Sequence, residues 1–312
     1  MKTHARFLAL LALVCGLTLA RGQVTLELKH PPETTHAVAT EITVQQTLTL
    51  AGMAIDTKSV QSRLTQSSAG KRENDGSLRI RDEVKKLNAR ISLPGGIQVE
   101  FDSANPNTKA PMPELEPLLD VMRATLKAST TRVYDKDGAL KEVESDRRAF
   151  EGLDPKVKPD LSPAKAKRDV EQIARILPDK AMNKGDTWVR KEAMDLGGGQ
   201  MMRFQMEYEY KGAVRREGRE LDVIEAKATS VDYELDANSP LPLKLKNSEL
   251  KVAGSKTKLL FDRELGVFLE IESSVRITGD MTFEVAGNEL PGKLDLTIST
   301  KSALQTAPSK TP

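Results

Sequence analysis

Cysteine is almost missing from this chain: Cys15 is the only one in 312 residues, and it sits inside an apolar N-terminal run. If that run is removed, no thiol is left, so disulfides, a cysteine nucleophile and a cysteine-ligated metal are all excluded. Histidine is nearly as scarce, with His4 in the same run and only His30 and His36 beyond it. A Ser-His-Asp hydrolase would have to draft one of those two, and the chain has no Gly-x-Ser-x-Gly elbow. Aromatic residues make up 4% of the chain, so Val, Leu, Ile and Met must fill the core. A strong charge bias is missing too. Removing residues 1–22 takes Lys2, Arg6 and Arg21 from 47 basic residues and leaves 44 against 45 acidic ones, which gives no electrostatic case for nucleic acid.

Long hydrophobic runs are absent after the first 20 residues. Lys2 and Arg6, the apolar stretch Phe7 to Ala20, and the small residues that follow have the layout of a signal peptide ending near Ala20 or Gly22. Val14 rather than a small residue precedes Cys15, which disfavours lipidation there. An exported protein, periplasmic or extracellular, is the expectation, with no transmembrane segment in the mature chain. At 38% hydrophobic residues the chain has enough apolar material for a real core.

The strongest pattern lies between Gln200 and Lys211. Met202, Phe204, Met206, Tyr208 and Tyr210 alternate with Arg203, Gln205, Glu207, Glu209 and Lys211, which predicts a strand with one dry and one wet face. Lys184-Gly185-Asp186-Thr187-Trp188 reads as a tight turn leading the only Trp into an extended segment. Earlier in the chain, Val24 to Lys29 reads as a short strand. Val38 to Leu50 is a long Thr-rich strand that turns at Ala51-Gly52-Met53 into a second one reaching Gln66. The apolar phase changes between Leu78 and Leu93, so a bulge near Lys85 is expected, and Ile97 to Phe101 alternates cleanly. Leu115, Leu118, Leu119, Met122 and Leu126 recur at helical spacing. Two short strands, Thr130 to Tyr134 and Leu140 to Val143, flank the turn Asp135-Lys136-Asp137-Gly138.

The second half continues in the same style. Glu151 to Pro163 is proline-rich and reads as a linker, and Ser162-Pro163 starts a helix with the stripe Val170, Ile173, Ala174 and Leu177. Glu220 to Leu235 returns the central strand. Leu241, Leu243 and Leu245 alternate with Pro242, Lys244 and Lys246 as an edge strand, and Thr257 to Ile271 makes a hairpin. Val275 to Phe283 and Leu294 to Ile298 complete the strands, and residues 306–312 read as a disordered tail. The hairpins at Val133 to Ser145 and Leu260 to Ser273 echo each other. Either two similar lobes, 23–150 and 178–305, are joined by the 151–177 linker and helix in a single domain 23–305, or tight turns simply reuse Asp and Gly.

This order of parts resembles an uncharacterised family of exported bacterial proteins, the domain of unknown function 6263. The resemblance rests on the long Thr-rich hairpin, the helix before Tyr134-Asp135-Lys136-Asp137-Gly138, Leu177-Pro178-Asp179 followed by Gly185-Asp186-Thr187-Trp188, and the Phe261-Asp262 to Glu270 hairpin. More loosely, the layout is similar to the half-barrel sheets of lipoprotein carriers. The resemblance implies a fold and an export route, and it implies no activity, cofactor or catalytic residue.

Remaining chemistry is thin. Glu207 and Glu209 share a face with Arg203 and Lys211 and read as a salt-bridged surface rather than a carboxylate pair. His30 and His36 read as solvated, and Asp135 to Gly138 as a plain turn rather than a calcium loop. No enzyme, no metal and no cofactor is therefore expected. The expected fold is α+β: a large, twisted, mainly antiparallel sheet, half-barrel-like, with two helices packed on one face. Its expected role is a cell-envelope binding or carrier module for an apolar small molecule or a lipidated partner. The ligand-facing candidates are Met202, Phe204, Met206 and Tyr208 on the sheet and Leu119 and Met122 on the first helix. The alternative is a structural or protein-interaction domain without a pocket, its core closed by the helices.

Overall fold

The computed structural model of the chain describes residues 23–154, 162–197, 199–236, 239 and 243–310. Residues 1–22, expected to be a signal peptide, positions 155–161 of the expected linker, residues 241–242 of the expected edge strand and residues 311–312 lie outside the described residues. The elements in chain order are β1 Thr34–Leu50, β2 Met53–Arg72, β3 Leu78–Ser92, β4 Gln98–Asp102, α1 Glu116–Lys127, β5 Ser129–Tyr134, β6 Leu140–Ser145, α2 Pro163–Ala174, β7 Thr187–Gly197, β8 Gln200–Arg216, β9 Arg219–Leu235, β10 Lys244–Asp262, β11 Val267–Val285 and β12 Asn288–Lys310. Among the described residues the twelve strands form one antiparallel sheet in the order β6-β5-β3-β2-β1-β12-β11-β10-β9-β8-β7, with β4 added beside β3. The architecture is α+β, as the alternation of the strands requires.

Local chemistry explains the pairing. Ala51 and Gly52, both at positive φ, form the two-residue turn that matches the twist of β1 and β2. Between β2 and β3 the register slips between Leu64 and Thr65, where the partners jump from Lys86 to Val84. That leaves Lys85 as the bulge which returns Leu87 and Ala89 to the same face as Ile80. Strand β1 pairs along its whole length with both β2 and β12, so the halves 23–150 and 178–305 share one sheet. Positions 306–310, read from sequence as a tail, continue β12 to Lys310 opposite Thr34, because the start of β1 offers them an unfilled ladder. Val24 to Lys29 is not a strand. Val24 makes a single bridge with Met182, and Lys29 N–H donates to the Gly266 carbonyl at 3.0 Å, so this segment crosses other strand ends instead of joining one.

One seam shapes the molecule. Among the described residues, strand β10 pairs with β9 only from Thr257 to Phe261, and its first half has no partner on that side. The Lys-rich start of β10 is thus a free edge, as its composition suggests. Strands β7 to β9 can bend away there, and the burial shows that they fold over their neighbours. Met202, Phe204, Met206, Tyr208 and Tyr210 are all buried in one cluster with Ile277, Met281, Phe283, Leu294 and Leu296 from β11 and β12, closed by Leu26, Leu177 and Met182. The apolar row of β8 therefore points inward as expected, but sheet and crossing segments cover it rather than a helix. Burial of this kind contributes about 2 kcal/mol per large side chain before chain entropy is subtracted.

The two helices play different parts. α1 lies on the inner face over β3 and β4, where Leu119 packs with Leu87, Ala89, Val99 and Phe101 in a separate core. α2 stands between the two end strands of the sheet: Lys167 Nζ donates to the Lys141 carbonyl of β6 at 3.2 Å, and Gln172 Oε1 accepts from the Ala193 N–H of β7 at 3.0 Å. Ser162 caps α2 as its sequence predicts. The expected apolar stripe does not form, since the helix ends at Ala174, Ile173 is 54% exposed, and it is Leu177, beyond the helix, that turns into the core. Trp188 then docks on this turn, its Nε1 donating to the Ile176 carbonyl at 2.9 Å while its ring stacks on Tyr208 at 5.4 Å.

Candidate functional site

The inner face of the sheet can be traced residue by residue, because directly paired residues share a face. It runs from Leu78 and Leu87 on β3 through Arg63 and Thr65 on β2, Thr40 and Ile42 on β1, Thr300 and Ser302 on β12, and Ser273 and Val275 on β11, to the β8 row. Both ends of this track are dry. The middle is half-exposed, carrying hydroxyls from Thr40, Thr65, Ser273, Thr300 and Ser302 among the aliphatic Val38, Ile42, Leu304 and Ile271. Thr40 and Ser302 hydroxyls meet at 3.0 Å, and Thr257 and Ser273 hydroxyls at 2.8 Å, so these four are satisfied in pairs along the rungs.

The six residues expected to face a ligand divide between the two dry ends. Met202, Phe204, Met206 and Tyr208 belong to the β7–β12 core, while Leu119 and Met122 belong to the α1 core, so they do not line one shared cavity. The middle stretch between those cores, which sequence reading passed over, is the accessible part. The signal was present in the unbroken Thr-rich alternation of β1, whose inward set mixes hydroxyl and aliphatic residues instead of being wholly apolar.

His30 and His36 required correction as well. Sequence context implies solvated side chains, yet both are half-buried on the inner side at one end of the sheet. His36 stands opposite Ser67, in phase with the inward Val38 and Thr40, and the His30 ring lies 4.1 Å from that of Tyr134. Around them Ser67 Oγ donates to Asp82 at 2.5 Å, and Arg132 grips both carboxylate oxygens of Asp82 at 2.7 and 2.8 Å. Ser67 thus donates to a carboxylate, an arrangement that orders this end of the sheet. His30 also lines a hollow of about 430 Å3 together with Leu26, Arg72, Asp135 and Asp179.

Burial first, then the positive Arg132 and His36, push the His30 pKa down to about 4 from 6.5, and His36 is lowered by the same burial and the same arginine. Its folded pKa lies below its unfolded one, so between pH 6.5 and 4 the unfolded chain takes up a proton that the native state refuses. Stability from this residue is fully present above pH 6.5 and declines as the pH falls toward 4. Discounted for its half-exposed position, the expected loss is about 1 to 2 kcal/mol at pH 4.5 relative to pH 7. Urea titrations at the two pH values check it: His30→Gln should remove most of that difference, and an unchanged difference would refute it.

The outer face is charged. Glu207 pairs with Lys227 at 3.2 Å, Glu209 with Lys211 at 2.8 Å, and Arg276 with Asp295 at 2.7 Å, so the carboxylates of the central strand sit in surface ion pairs as their neighbours implied. A strand face that meets lipid carries an apolar band instead. No helix among the described residues is long and apolar enough to cross a membrane. No group of three or more metal-ligating side chains occurs among the described residues. A hollow of about 600 Å3 is lined mainly by residues of this face, among them Ala39, Glu41, Leu64 and Glu272, and it also touches Arg63 and Ser302.

No family model matches the chain, and no curated protein matches it. Among solved structures, it is similar to lipovitellin, determined for its lipid–protein interactions, with a TM-score of 0.46 at 9% identity over 91% of this chain; the chain spans only 26% of lipovitellin's length. It is similar to the outer membrane protein OprG of Pseudomonas aeruginosa with a TM-score of 0.21 at 7% identity, over 89% of this chain and 98% of the other. A DUF1329 family protein from Desulfovibrio piger follows with a TM-score of 0.13 at 7% identity, over 84% of each chain.

Proposed function

We propose that this protein is a non-enzymatic binding or carrier module of the cell envelope, exported by its first 22 residues, which holds an apolar ligand or the lipid moiety of a lipidated partner on its inner face. One observation carries the reading: the inner face is sealed by packed cores at both ends and left half-exposed, with aliphatic residues among hydroxyls, between them. A sheet whose only task was to bury a core would close this middle stretch, because each exposed aliphatic residue forgoes about 2 kcal/mol of burial. Accessible apolar lining with a few placed polar groups is what small-molecule sites share. The resemblance to the exported family of domain of unknown function 6263 is part of the same proposal.

Native mass spectrometry of the mature protein, purified without detergent, tests the reading. The expected result is a set of adducts in the mass range of single lipids that disappears on organic extraction. A bare chain from several independent preparations, with no uptake of added lipid, would overturn it. In that event the shallow outer hollow between Ala39, Leu64 and Ala303 favours the second reading, a protein-interaction domain.

A further inference from the structure

Arg63 stands alone on the half-exposed middle of the inner face. Its direct partners across the rungs are Thr40 on β1 and Leu87 on β3, with Ser302 beyond Thr40 on β12. One step along the same face lie Gln61 and Thr65 on β2, Val38 and Ile42 on β1, and Val84 and Ala89 on β3, so no acid occupies any adjacent position. Among the described residues Arg63 makes no ion pair or side-chain hydrogen bond. The surrounding strands lower its pKa, but the side chain is exposed and a guanidinium stays protonated throughout the working pH range. Arg132 on the same face shows the usual solution, since Asp82 neutralises it through two bonds. Arg63 is exposed, so its guanidinium offers an accessible positive charge with no protein partner among the described residues, which a ligand carboxylate can pair with through charge-assisted hydrogen bonds.

What surrounds the guanidinium defines that ligand. Val38, Ile42 and Leu304 form a half-exposed aliphatic strip beside it, and the hydroxyls of Thr40 and Ser302 are already bonded to each other. The adjacent positions hold no second cation, so the site supplies one positive charge in a planar fork, which matches a single carboxylate. We propose that the inner face binds a long-chain carboxylic acid, with its carboxylate on Arg63 and its hydrocarbon chain along Val38, Ile42 and Leu304. This rests on the binding function proposed above and specifies its ligand class.

The test uses the full mature chain titrated with parinaric acid, a fluorescent long-chain carboxylic acid, and with its methyl ester. Wild type should bind the acid roughly 10-fold or more tightly than the ester. Arg63→Gln should weaken the acid by about 10-fold and leave the ester unchanged, while Arg63→Lys recovers part of the difference. The thermal midpoint of Arg63→Gln should not fall, since no native contact is lost, which separates lost recognition from lost folding. Equal binding of acid and ester by wild type, or acid binding untouched by Arg63→Gln, overturns the carboxylate assignment and leaves an apolar binding module standing. Arg63-dependent capture by phosphatidylglycerol vesicles without binding of the free acid overturns it in favour of a phospholipid. Binding of no probe removes both the assignment and the function it rests on.

Discussion

Phe261→Ala is expected to cost about 4 kcal/mol and to lower the thermal midpoint by roughly 10 °C. Phe261 is fully buried and meets Phe268 edge-on at 5.2 Å between ring centres. Its position matters more than its size. It lies at the end of the five-residue stretch, Thr257 to Phe261, where β10 still pairs with β9, and so at the hinge about which β7 to β9 fold over β11 and β12. Removing the ring leaves a void that flanking backbone cannot close, since the ladder on either side is fixed by hydrogen bonds. Val214, 45% exposed on β8, serves as the control, and its alanine variant should stay within about 0.5 kcal/mol of wild type. Urea unfolding monitored by circular dichroism measures both. A loss below about 1.5 kcal/mol for Phe261→Ala would mean that the two wings of the sheet are not packed face to face.

Asp222→Ala should cost nearly as much, about 3 to 4 kcal/mol, for a different reason. Asp222 is 1% exposed and lies opposite Phe261 on β9. Its carboxylate accepts from the Tyr210 hydroxyl at 2.6 Å and from both the Nε and Nη2 of Arg263. Burial, then the bond to Asp222, push the Tyr210 hydroxyl pKa well above the usual phenol range. With the carboxylate gone, that hydroxyl keeps its burial and loses its acceptor, whereas Arg263, about a third exposed, can swing toward water. The asymmetry predicts that Asp222→Ala destabilises more than Arg263→Ala, and that the double variant costs less than the sum of the two. Additive effects in a double-mutant cycle would show that the three groups do not act as one network.

The helices and the histidines show where sequence reading stops. α1 was legible because Leu115 to Leu126 repeat at helical spacing, and the structure lays that stripe on β3 and β4. α2 carried a similar stripe on paper, but its task is to stand between the edges of β6 and β7 with polar contacts, and that task exists only once the sheet has curved far enough to bring its ends near each other. His36 could have been assigned inward from its phase with Val38 and Thr40. The fact that Arg132, Asp82 and Tyr134 gather beside it depends on β5 pairing with β3, a contact between residues roughly fifty positions apart. Arg63 is the sharpest case. An arginine on β2 looks unremarkable until the registers with β1 and β3 show that no acid occupies an adjacent position on its face.

Period-two alternation, turn chemistry and the scarcity of thiols and imidazoles already dictate a large antiparallel sheet with few reactive groups, because side-chain direction along a strand is a local property of the backbone. Which dry face meets which is not local. The unpaired first half of β10 lets three strands fold over their neighbours, and that closure buries the β8 row beneath other strands and leaves the centre of the inner face open around Arg63. Strand direction is set within a few residues, whereas cover, exposure and the company a charge keeps are set by segments distant in the chain that only folding brings together.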